Sequence, residues 1–310
     1  MNRICETCFE RIDQDVDFGK HSELCRQEQM VALSQYFQNN QDGANDKFEP
    51  KIEKIVEPIY PKLELTKTQK QAIRFFRKKA KLMSRGTHHL LFEKILSMGF
   101  DEGDLDILLN FVSQAPIIAF VPLYGFNLFD NFFEEPRMKN LFEVNRGRGS
   151  TSIGMRTQWE STLFNKFYDK SEPIERVKYG AFNIDTNPLG VISAQSYGDV
   201  YFVFNDDVKK RTTMVYGDSA GNAQNLHIAT PDNFINILHY MPEHVVKSII
   251  LKAKGLPFNY ENYPYIEIQI HGEIRLDRDV KQIVVDPRKI QIDNRLEDLC
   301  RHFDIEIVRL

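Results

Sequence analysis

Four residues near the start of the chain have the types and spacing of a metal site. Cys5 and Cys8 are followed by twelve residues and then by His21 and Cys25. A Cys-x2-Cys knuckle presents two thiolates, and a histidine and a cysteine four apart share one face of a helix. A piece this small cannot bury a core of its own, so bound zinc would supply the folding free energy of a finger over residues 1–28. Three of the four cysteines lie in this stretch, which suits a metal site made in a reducing compartment better than a disulfide framework. Cys300 stands apart and reads as a buried apolar residue.

A second group lies near the C-terminus, where Tyr265, Glu267, Gln269 and His271 alternate with Ile266, Ile268 and Ile270. Alternate side chains of a strand share a face. The isoleucines therefore predict a core side, and the four polar groups face a cleft or solvent. Val144-Asn145-Arg146-Gly147-Arg148-Gly149 offers two arginines where glycine lets backbone approach a ligand; a solvated basic turn is the other reading. The chain contains neither a Gly-x-x-x-x-Gly-Lys phosphate loop nor a Gly-x-Ser-x-Gly elbow.

Over residues 3–27 the finger resembles ubiquitin-binding zinc fingers of the Cys-Cys-His-Cys type. Glu6, Glu10, Asp13, Asp15, Asp17 and Glu23 disfavour phosphate contact. A ubiquitin-like partner, another protein partner and a purely structural finger all stay open. The body carries Trp159-Glu160 through Phe167-Tyr168-Asp169, Lys178-Tyr179-Gly180, Arg211-Thr212-Thr213 running to Gly217-Asp218-Ser219, and Glu267-x-Gln269-x-His271-Gly272, in that order. That series resembles a bacterial family of unknown function that includes effectors that ADP-ribosylate a threonine of ubiquitin using NAD. The resemblance covers a little over half the chain.

It implies an NAD-dependent mono-ADP-ribosyltransferase acting on a protein, with ubiquitin or a ubiquitin-like protein as partner. Breaking the nicotinamide–ribose bond passes through an oxocarbenium-like state, as in glycoside hydrolysis, and needs a carboxylate near the ribose. Glu267 is the candidate, with Gln269 and His271 beside it on the catalytic strand. His271 reads either as a base or as a structural group. Arg146 and Arg148 would hold the pyrophosphate, Tyr179 or Tyr197 would stack on nicotinamide, and Gly180, Thr212 and Thr213 would line the cofactor cleft. One large class of transferases carries an early arginine strand, a Ser-Thr-Ser strand and a late glutamate. Here Ser150-Thr151-Ser152 follows Arg146 too closely to form a separate strand, and Arg211-Thr212-Thr213 could take that place. The alternative is a non-catalytic ubiquitin-binding adaptor with a degenerate transferase fold.

These residues need elements to hold them. The 310 residues are 42% hydrophobic and 27% charged with a net charge of −4, which suits a soluble chain with a sizeable core. The charge disfavours a nucleic-acid coat but leaves room for a local basic patch. No stretch approaches the length of a membrane span, and the start is not a Sec signal. A cytoplasmic protein with no membrane partner is expected, with delivery to a host by a specialised secretion system left open. The polar stretch Asn39–Asp46 reads as a linker. Thr66 with Gln69 predicts a capped helix start, with further helices over about 89–98, 104–111, 159–168, 232–239 and 243–254. Strands are expected at 117–121, 178–184, 200–204, 212–216, 265–271 and 282–285. The fold class is α+β: a zinc finger at 1–28, a helix extension and linker at 29–65, then a helical segment and a mixed, strand-rich ADP-ribosyltransferase-like domain at 66–310.

Overall fold

A computed structural model describes residues 63–144, 152–182, 198–220, 223, 226–258, 265–288 and 290–310, with the backbone of 3–4 and 11–12. The chain divides into two compact units, Met1–Tyr60 and Pro61–Leu310. In the first, β1 (Arg3–Ile4) pairs antiparallel with β2 (Arg11–Ile12), Ile4 opposite Arg11. Cys5 and Cys8 fall between these strands in sequence. All four expected zinc ligands lie outside the described residues.

The second unit is a mixed α/β body built on one seven-stranded sheet. Its strands are β3 (Ile117–Val121), β4 (Lys178–Phe182), β5 (Val200–Phe204), β6 (Thr212–Tyr216), β7 (Ile266–Ile270), β8 (Val280–Val285) and β9 (Glu306–Arg309). They lie in the order β6-β7-β4-β3-β5-β8-β9. Every neighbouring pair is antiparallel except β8 with β9.

The sheet's two faces differ. Ile266, Ile268 and Ile270 of β7, with Ile117 and Ala119 of β3 and Phe202 of β5, enter the main core. Helices α2 (Glu102–Gln114), α6 (Ile235–Tyr240) and α7 (Glu243–Ala253) bring Leu108, Leu238 and Ile249 into that core. The opposite face of the β6-β7-β4 end carries a smaller cluster in which Val215 packs with Leu163, Phe164 and Tyr168. Helix α5 (Ile153–Leu163) and the turn after it cover this end; α3 (Phe129–Glu134) and α4 (Leu141–Val144) come earlier in the chain.

Helix α1 (Lys67–Ser97) spans both cores, with Ala72 and Phe76 in the smaller one and Leu91 and Ile95 in the larger. The expected capping box is present: Thr66 Oγ1 accepts from Gln69 N at 3.3 Å, and Gln69 Oε1 accepts from Thr66 N at 3.0 Å. The two helices expected over 66–98 are one. Gly86 does not interrupt it, because Gly86 lies on the exposed side and the buried row from Ala72 to Ile95 is continuous. Two late elements were not expected, α9 (Asn294–Phe303) and β9. A short α8 (Leu276–Asp279) precedes β8.

Candidate functional site

The polar face of β7 lies under α5, and its side chains form one hydrogen-bonded row. Glu267, Gln269 and His271 are all buried, at 3%, 0% and 0% exposure. Thr213 of β6 sits opposite Gln269 in the sheet register and shares its face. Gln269 Nε2 donates to Glu267 Oε1 at 2.9 Å, and Thr213 Oγ1 donates to Gln269 Oε1 at 2.9 Å. Thr213 Oγ1 also lies 3.1 Å from His271 Nε2, and the Tyr168 hydroxyl lies 2.5 Å from His271 Nδ1.

Counting protons fixes the direction of the row. The threonine hydroxyl has one proton, and Gln269 Oε1 can only accept it. His271 Nε2 must then carry the proton that it shares with Thr213, and Nδ1 accepts from Tyr168. The row runs one way, from Tyr168 through neutral His271, Thr213 and Gln269 to Glu267. Burial, helped by the charge of Arg211, pushes the His271 pKa down to about 3. The ring therefore stays neutral at ordinary pH, with both nitrogens occupied.

Glu267 differs. Burial raises its pKa to about 7, against the opposing pull of Arg156 and of hydrogen bonds from Ser219 and Gln269. Ser219 N donates to Glu267 Oε2 at 3.3 Å. Ser219 Oγ is buried and has no hydrogen-bond partner among the described residues, a free polar atom beside the carboxylate.

Helix α5 adds a second cluster. Its N-cap is Ser152, whose side chain accepts from Met155 N. Arg156 sits one turn in, with its guanidinium carbon 3.6 Å from the centre of the Tyr179 ring. Glu160, one turn further on and fully buried, accepts from the Tyr179 hydroxyl at 3.0 Å and from Arg176 Nη1 at 3.0 Å. Tyr179 and Gln269 are register partners between β4 and β7, so the two clusters adjoin.

The structure brings together Glu267, Gln269, His271, Tyr179 and Thr213 on one sheet face. It sets Gly180 and Thr212 apart, because alternation turns them to the other face. Thr212 Oγ1 bonds to Val208 O at 2.7 Å, closing the 3-10 turn Asp206–Arg211. A Cβ at Gly180 would lie 2.3 Å from Ile118 O, so glycine there serves sheet packing. Arg146, Arg148 and Tyr197 lie outside the described residues, as do Ser150 and Thr151. Arg211 is buried against Asp279 at 2.9 Å and donates to His271 O, a structural arrangement. Arg156 and Arg176 were missed from sequence, whereas Asp218-Ser219 reads there either as a turn after its strand or as a cofactor contact. An arginine and a glutamate four apart, as at Arg156 and Glu160, read as a solvated helix pair unless the covered strand is known.

The arrangement is that of a mixed α/β protein with a buried, proton-sensitive carboxylate at one end of its sheet. Two matches to one family, described as Protein of unknown function (DUF3626), span residues 124–256 and 230–309. Together they take in more than half of the chain, and the chain belongs to this family. Both polar clusters fall within the matched residues, whereas the first unit and α1 precede them. No curated protein matches the chain.

Proposed function

We propose that the body is an NAD-dependent mono-ADP-ribosyltransferase that modifies a hydroxyl of a protein acceptor, a threonine of ubiquitin being the acceptor to try first. The observation that carries this reading is Glu267: a buried carboxylate held by a one-way hydrogen-bonded row, with an arginine acting on it and an unpartnered serine hydroxyl beside it. In the reaction the C1′–nitrogen bond of the NAD ribose breaks and its electron pair leaves with nicotinamide. The acceptor oxygen bonds to C1′, and its proton passes to the carboxylate and then to water. Glu267 stabilises the cation that develops at the ribose, an electrostatic contribution that a fixed, desolvated carboxylate supplies well.

Ser219 Oγ has no hydrogen-bond partner to give up among the described residues and fits a ribose hydroxyl. His271 is a positioning residue in this account, since both of its nitrogens are committed and it is fully buried. Tyr179 already carries the Arg156 guanidinium on one ring face, which leaves only the other for nicotinamide. The early strand β3 (Ile-Ile-Ala-Phe-Val) has no arginine, so the cation role falls to Arg156 or to the Arg146 and Arg148 segment. That departure favours the second reading, an adaptor on a degenerate transferase fold.

The same assay separates the two: the full chain with labelled NAD and ubiquitin, beside the Glu267→Gln variant. Transfer that the variant loses by about a hundredfold or more supports the enzyme. Neither transfer nor nicotinamide release by the native chain supports the adaptor. For the first unit we propose a zinc finger with Cys5, Cys8, His21 and Cys25 as ligands. The short hairpin flanking the first cysteine pair fits a knuckle.

A further inference from the structure

From Leu65 to Phe92 the chain contains eight lysines and arginines and not one aspartate or glutamate, although the whole protein carries a net charge of −4. Helix α1 arranges most of these charges in one line. Lys67, Lys70, Arg74, Lys78, Lys81 and Arg85 follow one another at steps of three or four residues and are all exposed. They form a row of about 27 Å at 1.5 Å per residue. No carboxylate of the described residues forms a salt bridge with any of the six. Arg77, by contrast, turns aside to Asp232 at 3.3 Å. Alongside the row, one step round the helix, stand Phe75 at 40% and Leu82 at 58% exposure.

We propose that this face of α1 docks the protein on an anionic lipid bilayer. Six cations in a straight line, none of them in a salt bridge with a described carboxylate, want a polyanionic surface, and the neighbouring phenylalanine and leucine want an apolar layer just beneath it; a bilayer with acidic headgroups offers both. The helix is sunk along its length, with Gln69, Ala72, Phe76, Ala80, Ser84, Thr87, Leu91 and Ile95 all buried. Phosphate contacts along a nucleic acid would engage the cations alone, whereas a bilayer also takes up exposed Phe75 and Leu82. No helix of the described residues is long and apolar enough to cross a membrane, so the contact is peripheral. This departs from the expectation of a protein without membrane contact. It stands independently of the transferase reading.

The test is co-sedimentation of the full chain with phosphatidylserine–phosphatidylcholine vesicles and with phosphatidylcholine vesicles. Binding is expected on the acidic vesicles alone, and it should weaken steeply as salt rises above physiological strength. A surface lysine or arginine contributes about fivefold to such partitioning. Lys70→Gln, Arg74→Gln, Lys78→Gln and Lys81→Gln combined should therefore weaken binding more than about a hundredfold, with the thermal melt unchanged because all four are exposed. A control removing the same charge from other exposed positions, Lys170, Lys247, Lys281 and Arg301 to Gln, should leave binding within about fivefold. Leu82→Ser should weaken it several-fold at any salt concentration. The proposal is overturned by equal binding to neutral vesicles, by equal losses in the two quadruple variants, or by retention on polyglutamate or duplex DNA without binding to acidic vesicles.

Discussion

Glu267 is expected to be costly to the fold and necessary to the chemistry. Its pKa rises from an ordinary 4.5 to about 7 on folding, so the native state binds its proton more tightly than the unfolded state. Stability from this group is full below pH 4.5 and is lost as pH climbs through 7, by roughly 3 kcal/mol. Glu267→Gln removes that cost but leaves one amide facing the donor of Ser219 N. The variant should melt higher than the native protein at pH 8, by the equivalent of about 1–2 kcal/mol, and the gap should close toward pH 5. Melts at the two pH values check this, and a gap independent of pH contradicts the buried carboxylate. Turnover should rise with pH through about 7 as the carboxylate ionises. Thr213→Val cuts the row between His271 and Gln269 and should lower turnover by about tenfold or more while changing the KM for NAD little. Thr213→Ser should restore it, since only the hydroxyl is needed; if serine fails too, the row does not orient Glu267.

At the scale of elements, the sheet depends on close approach between β4 and β3. Gly180→Ala places a Cβ against the Ile118 carbonyl and should destabilise the body by about 3 kcal/mol, the upper end for an overpacked core because backbone cannot move aside. A denaturant midpoint close to the native value would show that the strands can separate at no cost. Strand alternation made much of this sheet legible in advance. β3, β5 and β6 run over the expected residues, and the isoleucine face of β7 lies in the core as its pattern required. The helix cap at Thr66 was legible as well, because a side chain and a backbone amide three residues apart suffice, whereas the cap at Asp101 emerged only from the structure. What periodicity could not tell was which side of β4 and β6 would face the site. Gly180 and Thr212 were paired with Tyr179 and Thr213 as neighbours in sequence, yet neighbours on a strand point opposite ways. Arg156 escaped notice for a different reason: its partner Tyr179 is distant in sequence, and only tertiary packing brings them together.

The whole molecule consists of a small N-terminal unit and a body with its own cores. Cys25→Ser should lose zinc and unfold residues 1–28 while the body melts as before, because Pro61–Leu310 is a compact unit of its own and the polar stretch Asn39–Asp46 reads as a linker. Atomic absorption and calorimetry on the same sample read both effects; unchanged zinc content would remove the finger from the account. The central claim, that this chain transfers ADP-ribose, is tested most directly by the intact mass of ubiquitin after incubation with the full chain and NAD. The account predicts a gain of one ADP-ribose unit, absent with Glu267→Gln and absent without NAD. Unmodified ubiquitin, with no other protein labelled and no nicotinamide released, would contradict it.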